Sequence, residues 1–195
     1  PGDDLPEIPV KRVLENAFTT RESFVIRSIH RIEIGESREQ GFLIPIWLPD
    51  RGRNFSAGVL LHRPQLKQTR LLDYGNVDFI PYLRGLNGRV AVLSSYESGQ
   101  GSENSSQHVV QFDGWTVKRL GSGGFSNDVG KGECTAKAPC RHTSVVYQPV
   151  VGTNQMAKIT LSGTVIEKIV PKTNVRVQFY EVTSDALRPI ARYKK

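Results

Sequence analysis

The fold class of this chain is indicated most clearly by residues 78–93, which read DFIPYLRGLNGRVAVL. The Asn87-Gly88 pair favours a tight turn, because both residues tolerate positive φ. After this turn, residues 89–93 set Val90 and Val92 on one side of the chain and the intervening residues on the other, which is the period of a β-strand. The segment therefore predicts an aromatic-rich turn that leads into a central strand.

Strand-like patterns recur along the rest of the chain. The clearest is at residues 175–182, where Val175, Val177 and Phe179 alternate with other side chains. Similar segments are residues 24–34, 42–49, 56–61, 90–93, 109–117, 144–147 and 157–169. The sequence predicts an all-β fold, an antiparallel eight-stranded jelly-roll sandwich with long loops and one or two short helices, in a single domain over residues 1–195.

The segments between these strands carry other expectations. Residues 1–20 predict an extended N-terminal arm, and residues 186–195 predict a basic C-terminal tail. Residues 63–75 form the best helix candidate, with three leucines and a proline near the start. Residues 94–107 and 121–142 are rich in serine or glycine, which favours two long surface loops.

Charge and hydropathy narrow the range of partners and locations expected for this protein. The formal net charge is +7, and residues 168–195 hold seven basic and two acidic side chains, so most of the excess lies near the C-terminus. An excess of this sign suggests an anionic neighbour. The N-terminal segment lacks the arginine-rich arm that binds nucleic acid in many small capsid proteins. No apolar run approaches the roughly 18 residues of a membrane span, so we expect no membrane insertion.

Two cysteines, Cys134 and Cys140, lie six positions apart beside His142. The sparse pattern favours two thiols in a loop. A local disulfide is the second interpretation, and it would indicate an oxidising compartment. A metal site is the third and least favoured, because the spacing differs from the usual metal-binding pattern and few ligands lie nearby.

No catalytic constellation emerges from the sequence. The four histidines are scattered, and no G-x-S-x-G nucleophile turn is present. The glycines at 121–124 lack the Lys-Ser/Thr ending of a phosphate-binding loop. We therefore expect no enzymatic activity, no cofactor and no metal.

Arg84 and Gly85 stand at the start of the predicted central strand. A guanidinium group in such a place usually pairs with a carboxylate or caps backbone carbonyls. Gly85 would permit close backbone approach or positive φ. Both residues are predicted to be structural.

Three stretches resemble the capsid proteins of picorna-like viruses. The first runs from Ile8-Pro9-Val10-Lys11-Arg12-Val13-Leu14 through Ser23-Phe24-Val25 to the segment GFLIPIWLP at residues 41–49. The second is Tyr82-x-Arg84-Gly85, which in the family opens a central jelly-roll strand. The third is residues 175–185, a last strand followed by Ser-Asp and a short tail. The small size would suit a subunit of the plant comovirus relatives.

This resemblance implies a structural subunit of an icosahedral capsid around a single-stranded RNA genome, located in the virion. Its partners would be other copies or companion capsid subunits, weakly and non-specifically bound viral RNA, and a host or vector surface. Residues expected to contact RNA or a neighbouring subunit are Arg188, Arg192, Lys194 and Lys195.

A second hypothesis is a secreted β-sandwich binding module that recognises carbohydrate or protein. The sequons at Asn54 and Asn104 and a bridge between Cys134 and Cys140 would favour it.

Overall fold

The computed structural model describes residues 24–48, 57–72, 76–79, 89–99, 102–127, 134–137, 139–150, 152–166, 169–183 and 185–191. The first strands are β1 (Val25–Ile26), β2 (His30–Ile34), β3 (Glu39–Trp47), β4 (Ala57–Arg63), β5 (Gln68–Leu72), β6 (Asn76–Phe79) and β7 (Val90–Gly99), with a 3-10 turn at Pro64–Leu66. The remaining strands are β8 (Ser102–Asp113), β9 (Thr116–Asn127), β10 (Cys140–Pro149), β11 (Gln155–Ile166), β12 (Ile169–Val182) and β13 (Leu187–Pro189). In this part of the chain, no helix is long and apolar enough to span a membrane.

The strands form two antiparallel sheets, which confirms the predicted all-β class. In the first sheet, β1 and β2 both pair with β3, and β4 and β5 follow in order. The second sheet has eight strands in the order β6 to β13. Every neighbour within the described sheets is thus close in sequence, as in a meander. A jelly roll instead contains Greek keys, in which a strand returns to pair beside an earlier one.

The first four residues of β7, residues 90–93, are buried on both faces of the sheet and lie between two hydrophobic cores. Ala91 and Leu93 join the inter-sheet core, where β2, β3 and β4 of the first sheet pack on β7 and β8. Val90 and Val92 join the second-sheet core, where β7 and β8 meet β10, β11 and β12. All four side chains are fully inaccessible to solvent. The run predicted as a central strand is therefore continuous in apolar residues because both of its faces are covered.

The first sheet also buries the face that points away from the second sheet. Phe42, Ile44, Ile46 and Leu60 form a further apolar cluster there, with Leu48. Phe24, Ile26 and Ile29 pack against this cluster. Residues of β3 pack in this cluster on one face of the sheet and in the inter-sheet core on the other face. The stretch of β3 from Gly41 to Ile46 is therefore buried throughout.

The second sheet folds over itself between β9 and β10. These strands pair only where residues 124–127 meet residues 142–145. At the end of this paired stretch the chain crosses the face of β9, so that Val145 and Tyr147 lie against Gly123 and Tyr147 also lies against Gly121. A Cβ atom on Gly123 would lie 2.6 Å from the carbonyl oxygen of Val145. Glycine at this position therefore permits the close crossing that encloses the second-sheet core.

The helix predicted at residues 63–75 is wrong. β4 ends at Arg63, a single 3-10 turn follows, and Lys67 adopts positive φ before β5 begins. Pairing of β5 with β4 satisfies the backbone of the segment. Buried Thr69 then meets His62 across the pair, which a helix would not allow.

In the parts that the structure describes, both predicted long loops are largely strand. Residues 94–99 and 102–107 extend the β7–β8 ladder, in which Ser95 pairs with Ser106 and the two hydroxyl oxygens lie 2.6 Å apart. Residues 121–127 belong to β9, and residues 140–142 begin β10. Serine and glycine weaken the apolar signal of a strand, but an antiparallel ladder is held by backbone hydrogen bonds that every residue type except proline can make.

Three further predictions from the sequence can be compared with the structure, and their outcomes differ. The predicted strand at 109–117 is two strands, because Gly114 has a φ of +58° and turns the chain between β8 and β9. Within the predicted basic tail, residues 187–189 form β13. The predicted N-terminal arm, residues 1–20, lies outside the described residues.

Candidate functional site

The outward side of β10, β11 and β12 carries apolar side chains that remain exposed. On β12, Val175, Val177 and Phe179 are 63%, 49% and 40% exposed. Val146 of β10 pairs with Ile159 of β11, which pairs with Val177. Directly paired residues share a face of the sheet. We call this surface the outer apolar face, and its members are Val146, Ile159, Leu161, Val175, Val177 and Phe179.

Strand β12 also has a free edge. β13 pairs with β12 only at residues 180–182, and the backbone N–H of Ile190 donates to the carbonyl of Phe179. Within the described ranges, no strand pairs with that side of β12 from Thr173 to Gln178. An unpaired strand edge offers backbone donors and acceptors to another chain. We call residues 173–178 the free edge.

A groove of about 400 Å³ lies where the outer apolar face meets the end of β13. Val177 and Phe179 line one side, and residues 189–191 line the other. Arg176 and Gln178 contribute the polar part of its lining. The groove therefore extends the apolar surface beside the free edge.

A second cleft, of about 330 Å³, lies among β7, β8, β9 and β10. We call it the serine cleft, because five serines line it together with an aromatic residue: Ser94, Ser95, Ser105, Ser106, Ser144 and Tyr96. Tyr96 is 55% exposed and pairs directly with Ser105, so the two share a face. The described lining contains no Asp, Glu, Lys, Arg or His.

Two arginine side chains of the first sheet pack on the ring of Trp115. The guanidinium carbons of Arg63 and Arg70 are 5.0 and 4.4 Å from its ring centroid. Glu39 accepts hydrogen bonds from both Nε and Nη2 of Arg63. These bonds lower the pKa of the Glu39 carboxyl group and raise the pKa of Arg63. Trp115 also packs on the inter-sheet core, so this cluster joins the β8–β9 turn to the first sheet.

Three histidines lie within hydrogen-bond distance of hydroxyl groups: His30 with Ser28 (2.8 Å), His62 with Thr69 (3.0 Å) and His108 with Ser122 (3.0 Å). Burial lowers the pKa of each histidine, and Arg119 adds to the effect at His108. The described residues hold no group of three or more His, Cys, Asp or Glu arranged for a metal ion. These three histidines lie at separate places in the fold, and each makes a structural contact with a hydroxyl group.

Cys134 and Cys140 are joined by a disulfide, with their Cα atoms 5.2 Å apart. The structure thus has the second of the three arrangements considered for this pair. The Cys134 side of the bridge is buried, and Cys140 begins β10. The bridge closes a small loop at the start of a strand that lines the serine cleft. Disulfides persist in secreted proteins and at cell and virion surfaces.

Among the basic residues predicted to contact RNA or a subunit, Arg188 lies in the described part of the chain. Its Nη2 is 3.7 Å from Asp185 Oδ1, and both side chains are more than half exposed. A hydrogen bond from Thr183, with a further contribution from Arg188, lowers the pKa of Asp185. The positive charge of Arg188 therefore lies close to the negative charge of the Asp185 carboxylate. Arg192, Lys194 and Lys195 lie outside the described residues.

The other residues singled out in the sequence also lie partly inside and partly outside the described part of the chain. Arg84 and Gly85 lie outside the described residues, as does Asn54. Asn104 is exposed on β8. The sequence prediction misses the serine cleft, because the serine-rich residues 94–107 favour a loop. It identified the alternation of Val175, Val177 and Phe179 without showing that this side of β12 faces outward.

Comparison with known proteins gives no relative: no protein-family model matches the sequence, and neither a curated protein nor a solved structure shows significant similarity to it.

Proposed function

We propose that this chain is a non-catalytic structural subunit that assembles with other copies of itself through the free edge and outer apolar face of β12. The observation that carries the proposal is the exposure of Val175 and Val177 on a strand whose outer edge has no described partner from residue 173 to 178. Strand addition at such an edge gives backbone hydrogen bonds and packs alternate side chains together.

The sequence of the free edge suits a two-fold antiparallel pairing centred on Val175. In this register Val175 meets its own copy, Val177 meets Thr173, and Arg176 meets Asn174. Within the free edge, therefore, no two like charges are directly opposed. A two-fold contact of this kind is self-complementary and closes after two copies.

The side chains at this contact are apolar enough to contribute. Full burial of a valine is worth roughly 1.5–3 kcal/mol. Val175 and Val177 keep about half or more of their surface exposed in the single chain. Burying the remainder would therefore contribute on the order of 1 kcal/mol per side chain. The adjoining groove, lined by Phe179 and residues 189–191, offers further apolar surface.

An icosahedral virus capsid is the specific assembly that we propose. Support comes from the resemblance of residues 8–49, 82–85 and 175–185 to picorna-like capsid proteins. In that setting the partners are further capsid subunits, the genome is single-stranded RNA, and the location is the virion. The jelly-roll part of the proposal rests on this resemblance, since the described strands follow a meander order.

A secreted binding module is the second candidate, and the Cys134–Cys140 disulfide favours it. In that case the free edge would receive an extended segment of a different protein. The two candidates differ in the identity of the chain that pairs with β12.

Light scattering and electron microscopy of the purified chain test the proposal. Self-assembly predicts a mass of two or more copies that increases with protein concentration, and closed particles would indicate the capsid form. A monodisperse monomer at every concentration, with no particles, would reject assembly and leave the binding module.

A further inference from the structure

The serine cleft has the chemistry of a ligand site, and it is separate from the free edge of β12. Tyr96 presents a half-exposed ring at the cleft, while Ser105 faces the same side from the adjoining strand. Ser144 approaches from β10. The volume of about 330 Å³ lies near the lower end of the range for small-molecule sites, which is roughly 300–1,000 Å³.

The lining offers hydroxyl groups without ionised side chains. A serine hydroxyl both donates and accepts hydrogen bonds, so it can match a ligand group that does the same. Ions gain little from such a lining, because it contains no opposite charge in its described part. The complementary ligand is therefore neutral and rich in hydroxyl groups.

Tyr96 adds an apolar surface with a polar end. An aromatic ring of this kind can pack against the C–H face of a ring-shaped ligand while its hydroxyl group remains in contact with water. Ligands that combine an apolar C–H face with many hydroxyl groups are pyranose sugars. The groups of the cleft match both parts of such a molecule.

The strands that form the cleft are held together through two of its lining residues, Gln107 and Gly124. Gln107 Oε1 accepts a hydrogen bond from the N–H of Tyr147 at 2.7 Å, which fixes β10 against β8. A Cβ atom at Gly124 would collide with the carbonyl oxygen of Ser105. The close approach of β9 to β8 therefore depends on glycine at 124, and it brings Ser105 and Ser144 to the same cleft. A site formed on paired strands in this way needs little ordering when a ligand binds.

We propose that the serine cleft binds a neutral glycan, with one pyranose ring packed on Tyr96 and its hydroxyl groups hydrogen-bonded by Ser105 and Ser144. This function goes beyond assembly through β12, since neither Tyr96 nor Ser105 belongs to the free edge. Val146 lines the cleft and also belongs to the outer apolar face, so a subunit with both features would hold a sugar beside the surface that joins other copies.

The test is a titration of the isotope-labelled full chain with lactose, maltose and cellobiose at millimolar concentrations, followed by amide NMR. At least one sugar should give saturable shifts centred on residues 94–96, 105 and 144. A sulfated heparin disaccharide, as a charged probe, should bind the cleft more weakly than that sugar. No saturable shift with any of the three neutral sugars, or stronger cleft binding by the heparin probe, would overturn the proposal.

Matched variants locate the site. Tyr96→Ala should weaken binding by about tenfold or more, whereas Tyr96→Phe should retain most of it because the ring remains. Trp47→Ala removes another exposed aromatic side chain, on the first sheet, and should leave binding unchanged. Equal affinity in wild type and Tyr96→Ala, with native amide spectra in both, would contradict the assignment. Val175→Lys should bind sugar normally, which separates this result from the fate of the assembly proposal.

Discussion

The side-chain oxygen of Gln107 accepts a hydrogen bond from the backbone N–H of Tyr147 at 2.7 Å, although β9 lies between their two strands in the sheet order. β10 is paired with β9 only as far as Val145. The N–H of Tyr147 therefore has no ladder partner on β9, and Gln107 supplies one. This contact joins the two halves of the second sheet at the point where it folds over itself.

Replacing Gln107 by Leu should lower the free energy of unfolding by roughly 1–3 kcal/mol, because the N–H of Tyr147 would lose its acceptor in a buried setting. Chemical denaturation monitored by circular dichroism measures the loss. Gln148→Leu is the control, since Gln148 is exposed and should cost no more than about 0.5 kcal/mol. Equal stabilities for the two variants would show that the contact contributes nothing particular.

Gly123→Ala should destabilise the fold by roughly 2–3 kcal/mol, because the new methyl group would lie 2.6 Å from the carbonyl oxygen of Val145. Gly152→Ala provides a comparison. Gly152 has a φ of +76° but no atoms near its Cβ position, so only the backbone conformation is penalised, at about 1–2 kcal/mol. Thermal unfolding of both variants should place Gly123→Ala lower, and the reverse order would contradict the crossing of β9 and β10.

His62 should make the protein less stable in acid. Burial lowers its pKa in the folded chain from the ordinary value of 6.5, so below that pH the unfolded chain binds more protons. The free energy of unfolding should therefore fall as the pH decreases from about 7 to 5. His62→Gln keeps a hydrogen-bonding group near Thr69 but cannot titrate. Its stability should depend less steeply on pH in denaturation curves, and identical slopes would exclude His62 as a source.

Removing the disulfide with the paired substitution Cys134→Ser and Cys140→Ser should cost about 2 kcal/mol. That value follows from loop-closure entropy for a separation of six residues. Denaturation with and without a thiol reductant measures it. The reductant should lower the midpoint for wild type and leave the double variant unaffected. A wild-type midpoint insensitive to complete reduction would show that the bridge does not stabilise the fold.

The β class could be predicted from the sequence because alternation is a local property. The apolar run from Val90 to Leu93 indicated a central strand, and the two faces of this run belong to two cores. The alternation of Val175 and Val177 also indicated a strand. The alternation could not show which side of β12 faces solvent. The answer depends on the packing of the sheet, in which the other side of β10, β11 and β12 covers the second-sheet core.

Other features lay beyond local patterns. Leucines near residue 71 suggested a helix, yet pairing with β4 decided the conformation. The glycines within residues 121–124 suggested a loop. In the structure they belong to β9, where the absence of side chains allows β10 to cross closely. The serine cleft combines residues from β7, β8, β9 and β10, so its existence depends on the register of four strands. Serine alone carries no signal of such a site.

The central claim is that the free edge of β12 joins two copies of the chain, and sedimentation velocity of three proteins tests it most directly. Val175→Lys places a charge at the centre of the proposed pairing. Val25→Lys places the same charge at another exposed valine, on β1. Wild type and Val25→Lys should sediment as assemblies whose mass rises with concentration, while Val175→Lys should remain a monomer with a native circular dichroism spectrum. If Val175→Lys assembles as wild type does, or if wild type is monomeric throughout, the claim is wrong.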